Sequence, residues 1–165
     1  MKTFEFTIVA SSPGSDIADL SERLFEAGCD DATVSLQKGA AIIEFDRESR
    51  SFYHALKSAL RDVESTGAMV LYIAPEHLVS LSDIASRIGI TRAAVSNYAI
   101  GKRDSGDFPI PVVRVTTDTP LWDWVDVARW FFRRGRLSLT QVVHARVVRY
   151  ENVKRLKRSE HMRAA

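Results

Sequence analysis

Residues 81–101 read LSDIASRIGITRAAVSNYAIG. Leu81, Ile84, Ala85 and Ile88 recur at helical spacing, so the first half predicts a helix with one buried face. Ser80 and Ser82 offer hydroxyls to cap its start, and Asp83 lies where the helix dipole favours a carboxylate. Gly89 interrupts the period at a position where a turn often demands positive φ. Thr91 is placed to cap a second helix whose inner face is Ala94, Val95 and Tyr98.

The layout is that of a helix-turn-helix. Small Ala85 lets two helices approach, Gly89 makes the turn, and Val95 packs the second helix onto the first. Thr91, Arg92, Ala93, Ser96 and Asn97 are then left pointing outward. Their chemistry suits phosphate oxygens and base edges: Arg for guanine, Asn for adenine, Ser and Thr for either. An ordinary helical hairpin with a polar outer face is the plainer alternative. Spacing, turn and outer-face chemistry together favour a nucleic-acid interface.

At 165 residues the chain suffices for one domain or two small ones. Hydrophobic content of 45% allows a packed core, and 27% charged residues is ordinary for a globular protein. No run of 18 apolar residues suggests a membrane span. The opening MKTFEFTIVASSPG alternates and carries Glu5, so it reads as a strand rather than a signal peptide. Cys29 is the only cysteine and cannot form an internal disulfide, which fits a reducing cytoplasm. The net charge of +2 conceals an asymmetry: residues 1–76 hold 7 basic and 13 acidic side chains, residues 131–165 hold 10 and 2. The basic end is where a polyanion would bind.

Ahead of the quoted stretch, Phe4, Phe6 and Ile8 alternate with Thr3, Glu5 and Thr7 in a half-buried strand over residues 3–10. A turn at 11–15 with Pro13 and Gly14 leads to an amphipathic helix from Asp16 to Ala27, with Ile17, Leu20, Leu24 and Phe25 on one face. Asp30 and Asp31 would cap the turn after Gly28. Strands around Ala32–Leu36 and Ala41–Phe45 are joined by Lys38-Gly39; a helix follows over Ser51–Val63 and a fourth strand over Ala68–Ile73. The order βαββαβ is the plan of a ferredoxin-like sandwich, residues 1–75, ending at Ala74-Pro75. Its acidity and lack of an exposed aromatic pattern argue against RNA binding. Self-association, capture of a protein partner or binding of a small effector remain as its roles.

Behind the quoted stretch, GKRDSGD (residues 101–107) is a polar loop with Lys102 and Arg103, and Phe108-Pro109-Ile110-Pro111 is stiff and extended. Val112–Val115, containing Arg114, predicts a strand, and Thr116–Pro120 the turn of a hairpin. Leu121–Phe132 predicts a helix dense in Trp122, Trp124, Val127, Ala128, Trp130 and Phe131. This series resembles the AlpA/excisionase branch of the MerR-like winged helix-turn-helix proteins over residues 78–132: Ala85, Gly89, Arg92 and Val95, then FPIP, a short wing and LWDWVDVARWF. The loop after the second helix is longer than in that family, and the segments on either side have no counterpart there. The resemblance implies a small transcription regulator or recombination directionality factor. It implies that the second helix enters the major groove, that the wing grips the flanking backbone or minor groove, and that the tryptophan helix packs beneath both. It assigns base contacts to Arg92, Ser96 and Asn97, a phosphate contact to Thr91, and backbone contacts to Lys102, Arg103 and Arg114.

Ser138–Met162 predicts a last, basic helix with an apolar stripe of Leu139, Val142, Val143, Val147, Tyr150, Val153 and Leu156. Dimer packing, docking on the winged domain and tracking of a DNA backbone are its three candidate uses. The expected fold is therefore α+β: a ferredoxin-like domain at 1–75, a winged helix-turn-helix domain at 76–136 and a basic helix at 137–165.

His54, His77, His144 and His161 lie in no ligand spacing, and no phosphate loop or nucleophile elbow occurs, so neither a metal or cofactor nor catalysis is expected. Cys29 near a helix end is a redox switch if exposed and an inert thiol if buried. The expectation is a cytoplasmic, nucleoid-associated homodimer that reads double-stranded DNA as a transcription regulator. A recombination factor that bends DNA, and an antitoxin whose acidic front binds a protein partner, are the alternatives.

Overall fold

Alternation along β1 (Lys2–Ser11) becomes sheet register. β1 runs antiparallel to β3 (Ala40–Ser49), setting Phe6 opposite Phe45, Ile8 opposite Ile43 and Ala10 opposite Ala41. All six are buried, and the two phenylalanine rings stack at 5.2 Å. The opposite face presents exposed Thr3, Glu5, Glu44, Asp46 and Glu48. β2 (Ala32–Gln37) joins β3 through Lys38 and Gly39, whose φ of 50° and 81° suit a two-residue hairpin matched to strand twist. β4 (Met69–Ala74) pairs with the other side of β1, with a bulge between Val9 and Ala10. The sheet order is β2-β3-β1-β4, antiparallel throughout.

The computed structural model describes residues 1–11, 16–104 and 106–164; the turn expected at Pro13 and Gly14 lies outside them. α1 (Ile17–Glu26) buries Leu20 and Leu24 but leaves Phe25 67% exposed, contrary to its expected place on the inner face. Its apolar arc is narrower than the sequence suggests. α2 (Phe52–Ser65) is capped by Ser51 and buries Leu56, Leu60 and Val63, with Phe52 edge-on to Phe4 and Phe6. By residue contacts the chain divides into two units: 1–75 with 150–165, and 76–149. The 26-residue α6 (Leu139–Ala164) is therefore no separate third piece; its residues group with the second unit up to Arg149 and with the first from Tyr150.

Within the first unit, Asn152 of α6 accepts from the Ile73 amide at 2.8 Å and donates to the Ile73 carbonyl at 2.9 Å. The side-chain amide thereby occupies backbone groups of edge strand β4 that would otherwise invite another strand. Arg47 lies among the helices' connections with its side chain 8% exposed. It donates to both carboxylate oxygens of Asp31, to Asp62, to Ser58 and to the Gly28 carbonyl, at 2.7–3.0 Å. Asp31 is thus an ion-pair partner rather than the expected turn cap. Burial pushes the Cys29 thiol up to about 11, against the opposing pull of Arg47, so it is the inert kind.

The second unit begins with β5 (Leu78–Val79), which pairs with β6 (Trp122–Asp123). Neither strand was expected, and β6 takes the residues foreseen as the start of a helix. α5 (Trp124–Arg133) consequently begins later, where the Asp123 carboxylate accepts from the Val125 amide at 2.8 Å. Of its two tryptophans, Trp130 is core and Trp124 is half-buried against the same core. Trp130 is 1% exposed and packs edge-on against Tyr98, Phe108 and Phe131 with centroids 5.0, 5.0 and 4.9 Å away. Val79, Ile84, Ala85, Val95, Trp122, Val127, Ala128, Leu137 and Val142 complete this cluster.

Candidate nucleic-acid interface

α3 (Leu81–Ile88) and α4 (Arg92–Ala99) form where the spacing predicts them. Ser80 caps α3: its hydroxyl accepts from the Asp83 amide while Asp83 accepts from the Ser80 amide, 3.2 and 2.8 Å. Burial alone would raise the Asp83 pKa; hydrogen bonds from Ser80 and the charge of Arg87 outweigh it and hold the carboxyl below its usual range. Gly89 ends the helix at φ +74°, a conformation any Cβ would strain. Thr91 then caps α4 through its hydroxyl, accepting from the Ala94 amide at 3.1 Å. Val95 is fully buried, which fixes the helix rotation and so decides what faces out.

Thr91, Arg92, Ala93 and Asn97 are exposed, whereas Ser96 is only half-exposed. No acidic residue stands in the first turn of α4, so nothing on the helix offsets the positive end of its dipole. The chain leaving α4 folds back on it: the Lys102 and Arg103 amides both donate to the Asn97 carbonyl, at 2.9 and 3.2 Å. Both side chains are exposed, and the Arg103 guanidinium sits 5.3 Å from the Tyr98 ring centre. The same loop carries Asp104 and Asp107, but Arg134 pairs with both, the second at 2.7 Å. The loop's acids are thereby neutralised locally, while Lys102 and Arg103 make no ion pair among the described residues. Trp130 also donates to Asp107 at 3.0 Å, tying the loop to the aromatic core. Nothing in sequence spacing foretells the role of Arg134, because its partners lie 27 and 30 residues away.

The wing differs from expectation. Val112–Val115 is not a strand; one isolated bridge joins Val113 to Leu121, and residues 114–120 form a loop. Arg114 sits in it at φ +56°, exposed, with its carbonyl accepting from the Thr117 amide and hydroxyl. Such backbone at a non-glycine residue ends strand pairing. Ile110 is 82% exposed, and Val112 and Val115 are exposed beside it. Of the eight candidate residues, Arg92, Ala93, Ser96 and Asn97 share α4 with Thr91 as its cap; Lys102 and Arg103 are held to its end, and Arg114 occupies the separate 114–120 loop.

The expected stripe on α6 is also redistributed. Val142, Ala145 and Val148 are buried, while Leu139, Val143, Tyr150 and Leu156 are exposed. The helix carries apolar residues on every side, so its neighbours rather than its own period choose the buried face. Among the described residues, no three His, Cys, Asp or Glu side chains group as metal ligands, and no helix is long and apolar enough to cross a membrane. Comparison with known protein families, with curated proteins and with solved structures finds no match to this chain.

Proposed function

We propose that the second unit is a winged helix-turn-helix that reads double-stranded DNA, and that the protein is a non-enzymatic transcription regulator of the cytoplasmic nucleoid. The carrying observation is the outward rim of α4, where Arg92, Ala93 and Asn97 stand exposed on a helix rotated by buried Val95. A helix of that width fits the major groove, where Arg and Asn have bidentate partners in guanine and adenine. Thr91 and the uncompensated N-terminus suit phosphate, and Lys102, Arg103 and Arg114 suit the flanking backbone. The half-exposed Ser96 is the weakest of the base-reading set. The βαββαβ order and the sheet order of the first unit support a ferredoxin-like plan, a suitable platform for a homodimer placing two recognition helices on successive major grooves.

Selection of bound fragments from a random duplex pool at two salt concentrations tests this. The expected result is an enriched motif that Arg92→Ala degrades at one base pair, losing about 1–3 kcal/mol of discrimination. No enrichment of any duplex at low ionic strength overturns it. A second reading, a recombination factor that bends DNA, is favoured by the exposed Ile110 and Val115 of the wing, since apolar side chains inserted between base steps kink duplexes. A bound duplex bent in gel-mobility phasing, and straightened by Ile110→Ser, would select it.

A further inference from the structure

The first unit contains a cleft of about 270 Å³ between α2 and the C-terminal part of α6. Lys57, Arg61, Lys154, Arg155 and Arg158 line it, against Glu64 and Glu151 and a single apolar side chain, Leu60. Glu151 is 1% exposed and organises the walls: its carboxylate takes Lys57 from α2 at 3.1 Å and Arg155 from its own helix at 2.8 Å. Arg155 also reaches Glu64 at 3.1 Å, so both acids of the cleft are already engaged by its cations. The Arg155 side chain is nine-tenths buried, and its Nε has no hydrogen-bond partner among the described residues. Lys154 and Arg158 are exposed and make no ion pair among the described residues. Arg61 is engaged from outside the cleft by Asp62 at 3.1 Å, so Lys154 and Arg158 are the cations left over, and they give the cleft an excess of positive charge that an incoming anion can share.

We propose that this cleft binds a compact ligand bearing two or more phosphates. No aromatic ring lines it, so nothing there would stack on a nucleobase. A concave site of this volume, rather than a ridge, fits a small anion better than the convex backbone of a duplex. Lys154 and Arg158 would supply the new charge-assisted contacts, while Lys57 and Arg155 are held in place beforehand by Glu151. Oligophosphate binding is a property of the first unit and stands apart from base reading by α4.

Calorimetric titration of the full chain with inorganic pyrophosphate and tripolyphosphate tests it, run on wild type, on Lys154→Ala/Arg158→Ala and on Arg92→Ala. Saturable binding by wild type and Arg92→Ala, weakened roughly tenfold or more in the double variant, is expected. Both substituted side chains are solvent-exposed, so circular dichroism should show the variant folded. Absent saturation, or equal binding by the double variant, overturns the site. So does full displacement of pyrophosphate by mixed-sequence duplex DNA, with DNA affinity falling in step in the double variant; the cleft would then belong to a nucleic-acid footprint.

Discussion

Arg47 shows how one residue integrates the first unit. Its guanidinium satisfies two carboxylates, a hydroxyl and a carbonyl from two separate segments, the turn at 28–31 and α2, while nearly sealed from water. Those bonds outweigh the burial that would otherwise lower its pKa, and raise it above the ordinary range. Arg47→Ala leaves Asp31 without its cation and Asp62 with only the exposed Arg61, and should cost about 3–5 kcal/mol. Urea unfolding would check this, and a loss under 1 kcal/mol would mean that water replaces the guanidinium without difficulty. The sequence marks Arg47 only as an odd polar residue at an inward strand position, in phase with Ala41, Ile43 and Phe45. That phase is a usable signal; the identity of its partners is not, since they are 15 and 16 residues away.

Among the elements, α3 and α4 were readable because everything that makes them is local. Their apolar period, the caps at Ser80 and Thr91 and the turn at Gly89 all act within four residues. The segment expected to form a wing shows the opposite case: Val112–Val115 has strand propensity, but pairing needs a partner in register, and only Val113 finds one. The end of α6 is similar. Asn152 completes the β4 edge, and Asn152→Ala should cost about 1–3 kcal/mol for each Ile73 backbone group left unpaired. Hydrogen exchange gives the direct readout: the Ile73 amide should exchange faster in the variant, and unchanged protection would show that Asn152 does not guard the edge.

Over the whole molecule, charge and burial combine in the response to pH. His77 and His144 both have pKa values lowered from about 6.5, chiefly by burial, which Asp123 partly offsets at His77. The unfolded chain therefore binds more protons than the folded one as pH falls below that value, and stability declines with acidification. Glu151 adds a later loss: burial would raise its pKa, but Arg155 and Lys57 outweigh that and hold it below 4.5, so its contribution disappears as pH falls below that range. Urea midpoints measured from pH 8 to 5 should fall, and His77→Gln/His144→Gln should flatten the decline. A flat wild-type profile would contradict the assignment of these histidines.

Short-range physics made much of this protein readable in one dimension. Period-two and period-3.6 patterns, hairpin residues at 38–39 and helix caps placed four strands, most of the helices and the α4 rim, because each depends on neighbours a few residues apart. Tertiary structure alone decided which face of α6 is buried, that Leu78–Val79 and Trp122–Asp123 pair, and that Arg134 silences Asp104 and Asp107. It likewise drew Lys57, Arg155 and Glu151 together across 94 residues of sequence. Two-residue strands have no period, a helix apolar on every side has no preferred face, and ion pairs between distant residues are set by packing rather than spacing.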